Sequence, residues 1–448
     1  NLDKLEVAAG IKGNGYRQLT AAPVLFTDAK GNVVATPVKK SYSEGLTVTD
    51  YWASTSGGRK GILQRTQSTA EPGYLSKQMM NSTMNMLVHG DDCGTTRGIS
   101  LNVDEPDVLG RYTQAPIKLT SKRVIPAGTI ITPEILTDIR NRKITKVVVR
   151  SPMKCNHSQG ICPKCVGMSE NGQLYDQGTN IGVLSAQSLG ERGTQLSMKA
   201  FHSGGVHAPG KATLADQGLA RAQELLNMPQ TLKGSATLAS ANGKVSSIHK
   251  DPAGGYNIMV GDKRHYVPAD RKMLPGLRIG ASVKKGGPLS SGPINPHELL
   301  PLAGVHKTQN YLADELHRVY APEGIRRRHS EVVVKALSNV TKVTDPGDHH
   351  DYLRGDFASA SQVQHLNRTV LKGKTPIKHQ PILRGVKQIP LDVQEDWLAR
   401  LNHEELKSTV VEGAQRGWRS ELHGAHPVPP LVYGAEFGKG SEKEPYGY

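Results

Sequence analysis

The sequence predicts an α+β protein that is multidomain and elongated, and three observations carry that prediction. Its 448 residues exceed what one hydrophobic core usually serves, which implies two to four structural units. Hydrophobic residues make up 37% and aromatics 5%, against 48 Gly and 27 Pro, so turns and surface dominate over a single large core. A chain of this kind draws stability from an assembly. Finally, stretches of helical and of alternating periodicity follow one another along the chain without an internal repeat.

Taken in order, residues 1–45 are dotted with Gly, and the alternation and turn from Val24 to Val34 predict a hairpin. Residues 46–88 end in a helix-like run from Tyr74 to Leu87, but Gly57, Gly58, Gly61, Pro72 and Gly73 interrupt the stretch, so propensity alone breaks it into two helices. Residues 89–180 hold short strands over 101–150, a basic segment from Arg140 to Arg150, and a cysteine cluster. Residues 181–228 read as two helical stretches around the Gly-rich Ser203 to Gly210. A β-rich region follows over 229–344, all-β to about 300 with turns at Asn242-Gly243 and Gly254-Gly255. A helix near 308–320 and strands near 330–343 complete it. Residues 345–448 comprise an irregular part to 390, including the polar loop Asp345 to Asp351, then an amphipathic helical part over 392–422 and a Pro/Gly/Glu/Lys tail.

The formal charge of +16, from 56 Lys and Arg against 40 Asp and Glu, attracts polyanions and points to nucleic acid. No stretch approaches the roughly 18–20 apolar residues of a membrane span, and Asn1 opens no signal-peptide pattern, so a soluble, cytoplasmic protein is expected. The absence of an initiator Met fits processing, a removed tag or simply the point at which this sequence starts.

The four cysteines stand at 93, 155, 162 and 165. Cys162 and Cys165 form a C-x-x-C pair, Cys155 lies seven residues upstream with Gly160 between, and Cys93 is left to supply a fourth ligand from afar. A closed tetrahedral zinc site with a structural role is the expectation. Cys93 as a free buried thiol, or His157 as its competitor, are the alternatives.

Between Glu191 and His202, residues Gln195, Met198, Lys199 and His202 stand at i, i+3, i+4 and i+7 and share one helix face. A thioether beside a cation and an imidazole suits a base with its attached phosphates. The run Gly182 to Gly205 resembles the trigger loop of the β′ (largest) subunit of bacterial-type multisubunit DNA-directed RNA polymerases. The resemblance continues in collinear order. Residues from Pro37 to Thr47, Ser54 to Gly61 and Thr69 to Leu75 are similar to that family's bridge helix and its approach. Asp91 to Thr95 and the Cys155 knuckle are similar to the two halves of its zinc site, Gly218 to Leu226 to its second trigger helix, and Pro301 to His306 to a later landmark.

The resemblance implies the C-terminal portion of a β′ subunit, with a long bridge helix, a two-helix trigger loop, a zinc-binding module, a β-rich region like the jaw or sandwich-barrel hybrid, and a helical C-terminal clamp or anchor part. It implies joining of an RNA 3′-hydroxyl to the α-phosphate of an incoming NTP, with trigger-helix closure positioning the triphosphate. Met198 would lie on the base, Lys199 and His202 toward the phosphates and Gln195 toward the ribose or 3′ end. Gly204 and Gly205 would act as hinges, Thr69 and Ala70 would abut the templating base, and Arg17 would contact phosphate. Family members usually carry Arg at the position of Lys199 and Pro at that of Arg192.

The family's Asn-Ala-Asp-Phe-Asp-Gly-Asp loop, which holds the catalytic Mg2+, occurs nowhere in the sequence, so the resemblance places that ion on another subunit. The implied partners are an N-terminal β′ piece, β-like subunits, a σ-like or phage-specific factor, DNA template, RNA transcript and NTPs. The chain reads as a naturally split β′, as in some large phages and a few cellular lineages, or as a fragment, and a phage enzyme, packaged in its virion or not, is the preferred reading. The competing one is an inactive polymerase descendant serving as a zinc-stabilised nucleic-acid-binding or virion structural protein.

Overall fold

The computed structural model describes residues 19–434 except 23–24, 27–33, 121–122, 158–159, 200–213, 253, 351, 370–371, 393–395, 403–405, 421 and 423. Among them helices and small antiparallel sheets alternate, a mixed α+β architecture. The chain divides into two compact units, one of residues 1–75 and 190–221, the other of residues 76–189 and 222–448.

In the first unit Phe26 and Val38 are buried, and the Val34 N–H donates to the Phe26 carbonyl at 2.8 Å. The rest of the expected hairpin lies outside the described residues. Helix α1 (Val48–Thr83) starts at a reciprocal cap: Thr47 Oγ1 donates to Asp50 Oδ2 at 2.7 Å, and the Asp50 N–H donates back to Thr47 Oγ1 at 3.2 Å. The expectation of two helices is corrected. Pro72 and the glycines sit inside one uninterrupted helix, because a glycine costs only about 1 kcal/mol in a helix interior and tertiary packing outweighs it. The part of α1 in the second unit shows that packing: Gln78, Met79, Asn81, Ser82 and Thr83 are all buried, and Ser82 and Thr83 hydroxyls donate to the Met79 carbonyl.

In the second unit β1 (Ile99–Asn102) pairs antiparallel with β4 (Lys146–Val149), enclosing the short pair β2 (Ile117–Lys118) and β3 (Val124–Ile125) and helix α2 (Pro133–Asn141). The β1–β4 register is set by alternation, since Ile99 and Leu101 face inward opposite Val149 and Val147. After α3 (Pro163–Val166) come α4 (Ile181–Lys199) and α5 (Leu214–Asn227), both of which cross the boundary between the units. The predicted β-rich region is a four-stranded antiparallel sheet of β5 (Gly243–Lys250), β6 (Tyr256–Val260), β7 (Lys263–Val267) and β8 (Ser282–Val283), in the order β7-β6-β5-β8. It closes over Val245, Ile258, Val260, Val267 and Leu289.

For the remainder, one expectation is met with a longer helix and two are corrected. The helix expected near 308–320 is α6 (Pro296–Tyr320), begun by an Asn295 cap and kinked at Gly304, whose φ is 80°. The strands expected near 330–343 are a helix, α7 (Arg327–Ser338), followed by β9 (Val340–Asp345). The supposedly irregular 345–390 holds β10 (Phe357–Ser359), α8 (Ala360–Arg368) and β11 (Lys378–Ile382), in a sheet of order β10-β9-β11. Short helices α9 (Ile389–Asp392), α10 (Leu406–Arg416) and α11 (Val428–Val432) agree with a helical C-terminal part. No described helix is long and apolar enough to cross a membrane.

Candidate functional site

The four cysteines converge. Ser151 caps the turn Pro152–Lys154, its Oγ accepting from the Met153 N–H at 3.2 Å, and delivers Cys155 at the turn's end. The chain then returns through Gly160, whose φ of +67° and distance from Leu87 admit only glycine: a Cβ would stand 2.1 Å from the Leu87 carbonyl oxygen. Ile161 next pairs with the segment leading to Cys93, its N–H donating to Leu87 O at 2.8 Å and its carbonyl accepting from the His89 N–H at 3.1 Å. Cys162 then starts α3, which carries Cys165, and the Cys162 N–H points at Cys155 Sγ at 3.4 Å. The four Sγ atoms lie within 4.8 Å of one another, with Cys93 and Cys165 at 3.6 Å.

That donor set is four soft thiols, three of them buried, with Met86, Val88, Ile161, Ile181 and Val332 around them. It suits a tetrahedral metal with no open position for water. His157 is no competitor: its ring stacks edge-on against His89, 5.6 Å between centroids, beside Gly90. Crowding divides the thiols. Hydrogen bonds from Cys155, Cys162 and Cys165 hold Cys93 far below the usual thiol range, whereas the hydrogen bonds with Cys155, Cys162 and Cys93 push Cys165 far above it. Arg150 supplies the balancing charge, Nη2 lying 3.2 Å from Cys93 Sγ, 3.5 Å from Cys165 Sγ and 3.8 Å from Cys162 Sγ. Asp92 anchors it at 2.6 Å and also takes Lys164 at 3.0 Å. From the opposite side Lys335 of α7 donates to the carbonyls of Gly160 and Cys155 at 3.1 and 3.4 Å.

A buried ion network fixes α7 beneath this centre. The helix begins with two arginines, cations at the end where the backbone dipole opposes them. The structure answers with Asp107, whose Oδ2 accepts from the Arg328 N–H at 2.9 Å and whose Oδ1 pairs with Arg328 Nε at 2.6 Å. Arg111 bonds Asp107 and reaches Glu331 bidentately at 2.8 and 2.9 Å. Arg327 and Ser151 complete Glu331 at 3.0 and 2.7 Å. Burial would raise the Asp107 carboxyl, but Arg111 and Arg328 more than offset it and hold it at about 2.

The first helix of the expected trigger loop is rooted in the second unit. Asn180 caps α4, its Oδ1 accepting from the Val183 N–H at 2.9 Å, while its Nδ2 donates to Met84 O at 2.7 Å just past the end of α1. Gly182 lies against that same end, where a Cβ would stand 1.9 Å from Thr83 O. Ser185 meets His329 Nδ1 at 3.1 Å, and burial depresses that imidazole to about 4. Gln195, Met198 and Lys199 belong to the continuous helix α4, at the spacing expected of one face. Arg17, His202, Gly204 and Gly205 lie outside the described residues. Thr69 and Ala70 fall within α1, where Ala70 is exposed. Arg150 and Lys335 escaped the sequence reading, the one signal being Arg150 at the close of the basic segment before the knuckle, whereas Asp92 lay within the stretch from Asp91 to Thr95.

A long capped helix, a four-cysteine centre and a buried root for α4 follow one another along the chain. Residues 45–274 match the family model described as RNA polymerase Rpb1, domain 5. The chain is 32% identical over 437 residues to the DNA-directed RNA polymerase subunit beta′ of Geobacillus kaustophilus, a match covering 93% of this chain and 36% of that protein. The subunit beta′ of Symbiobacterium thermophilum is 32% identical over 438 residues, and that of Lysinibacillus sphaericus 31% over 439, each over 93% of this chain and 36% and 35% of the relative. The chain therefore belongs to the RNA polymerase Rpb1 domain 5 family, in its beta′ branch, and spans about a third of the length of these relatives.

Proposed function

We propose that the chain is the C-terminal portion of a β′-like subunit and acts in templated nucleotidyl transfer within a multisubunit DNA-directed RNA polymerase. The observation that carries the reading is the match over 93% of the chain, and the spacing of Gln195, Met198, Lys199 and His202 in the sequence supports it. In this reading α1 is the bridge helix, with Thr69 and Ala70 beside the templating base. Helices α4 and α5 are the trigger helices, joined through a loop in which Gly204 and Gly205 permit refolding on each cycle. Closure brings Met198 onto the incoming base and Lys199 and His202 to its phosphates, while Gln195 and Arg17 hold the ribose or 3′ end and a phosphate.

Zinc occupies the four-thiolate centre and ties residue 93 to the knuckle. The catalytic Mg2+ is held by acids outside these 448 residues, on an N-terminal β′ piece that works with β-like subunits, DNA, RNA and NTPs, and with a σ-like or phage factor for initiation. A large phage acting in the host cytoplasm is the proposed source, on the shortness of the sequence between α4 and α5.

The test is reconstitution. Purified alone, the chain should extend no RNA primer on a DNA template; with an N-terminal β′ piece and a β subunit it should add nucleotides. Robust templated synthesis by the chain alone would sink the reading.

A further inference from the structure

We infer that the hydrogen bond between Ser185 and His329 sets the rotational register of α4, which makes both of them positioning residues for the working face of that helix. The inference rests on the reading of α4 as a trigger helix. Gly182, Ser185, Ala186 and Leu189 stand at i, i+3, i+4 and i+7, and all four are buried, so they form the stripe on which the root of α4 is seated. Gln195 comes thirteen positions after Gly182, a turn of about 220° at about 100° per residue, which puts positions 195, 198 and 199 on roughly the opposite side of the same helix. A root that turns therefore turns the working face with it.

Two attachments hold that angle. Asn180 and Gly182 pin the first turn against the end of α1, through the bond to Met84 O and the close approach to Thr83 O. One turn further on, Ser185 is the only polar side chain of the stripe, and its Oγ lies 3.1 Å from His329 Nδ1 on α7. A helix tied to one element alone can pivot there, whereas ties to two elements a turn apart oppose rotation. The neighbours of Ser185 on the stripe are small or apolar and make no directional contact, so the bond specifies register as a lone polar residue does in a coiled coil. Its far end is rigid, since Arg328 beside His329 bonds Asp107 and the carbonyls of Met168 and Leu109. Burial keeps the imidazole neutral near pH 7, with one acceptor nitrogen and one N–H. The Ser185 hydroxyl can take either role, so the bond forms in both tautomers.

Breaking the bond strands neither partner. A helical serine deprived of its acceptor can turn its hydroxyl to the carbonyl four residues back, here that of Ile181, and the imidazole is not wholly enclosed. Loss of the bond therefore frees the angle of α4 while sparing the core, which separates a positioning role from a merely structural one.

The experiment has two arms, one on the full chain and one on the enzyme reconstituted with its partner subunits. Hydrogen exchange over residues 182–189 of the chain should quicken by about 3- to 10-fold in both Ser185→Ala and His329→Phe, the net effect of one hydrogen bond. In single-turnover addition on a preassembled scaffold, the same variants should lower the rate constant at saturating NTP by about 3- to 10-fold. The half-saturating NTP concentration should stay within about twofold of the parent, because closure follows binding. The double variant should be no slower than either single one, and His329→Asn, which keeps a polar atom at the place of Nδ1, should recover most of the rate constant. Unchanged exchange in both single variants would overturn the anchor. Faster exchange with an unchanged rate constant and the loss confined to amplitude, in an enzyme that His202→Ala does slow, would make the bond a matter of stability alone. That result would overturn the positioning role and leave the trigger reading standing. A reconstituted enzyme whose rate constant His202→Ala does not alter would remove the trigger reading, and this inference with it.

Discussion

Glu331 is the place where one atom-scale change should be felt across the fold. Its carboxylate accepts from both Arg111 Nη atoms, from Arg327 Nε and from Ser151 Oγ, and the group has no contact with solvent. Glu331→Gln keeps the shape but leaves Arg111 with Asp107 alone, an unbalanced buried cation, and breaking such a pair costs about 3–5 kcal/mol. At about 1.4 kcal/mol per factor of ten, amide exchange within α7 should quicken by roughly a hundredfold to a few thousandfold, if exchange there reports opening of the helix. The double variant Arg111→Met/Glu331→Leu leaves the outer pairs Asp107–Arg328 and Arg327–Asp314 in place and should recover much of that loss. Acid gives an independent check. Asp107 sits at about 2 against an ordinary 3.8, a gap worth on the order of 2 kcal/mol. Because its folded-state value is depressed, that stability is present above about pH 4 and is lost as the pH falls through about 2. Exchange in α7 that Glu331→Gln leaves within a factor of about five of the parent would refute the view that this network holds the helix.

Other outcomes are equally open to measurement. Metal analysis should find about one zinc per chain, as a single tetrahedral site implies, and Cys93→Ser should loosen it about as much as Cys162→Ser; full retention in Cys93→Ser would break the four-cysteine assignment. Gly160→Ala, with its Cβ forced against Leu87 O and its φ unfavourable for alanine, should weaken zinc binding, read by competition with a chelator, whereas Gly172→Ala, with only a distant contact, should not. In a reconstituted enzyme His202→Ala should lower the maximal rate of single-nucleotide addition by about 10²–10³, by analogy with loss of one preorganised donor, while scaffold binding stays near normal. Lys199→Arg should be tolerated or accelerate addition, measured on the same scaffold; an unchanged rate in His202→Ala would favour the inactive-descendant reading.

Legibility tracked the range of the interactions involved. The C-x-x-C pair, Cys155 and Gly160 are local signals, and the turn geometry they imply is present; Cys93 followed from counting the remaining thiol, and it does join the cluster. Helix α7 was misread because Val332-Val333-Val334 has the branched composition of a strand. What makes it helical is the placement of Arg327 and Glu331 at i, i+4 and their burial against Asp107 and Arg111, some two hundred residues earlier. The same limit explains α1, where Pro72 and Gly73 speak for a break and the packing of its last two turns speaks against one. Arg150 was visible only as one of several basic residues, since nothing local distinguishes a cation that faces thiolates from one that faces water.

The pairing of Asp92 with Arg150 has a consequence for how the metal centre is lost and regained. A metal held by Cys93 and Cys155 would close a loop over residues 94–154, and the pair Asp92–Arg150 already ties the two ends of that loop beside the thiols, with β1 and β4 hydrogen-bonded between them. Much of the entropy of closing so long a loop is thus spent before any ion arrives. Stripped of its metal, the knuckle should keep its shape and wait, so that a chelator empties the centre reversibly instead of unravelling the fold around it.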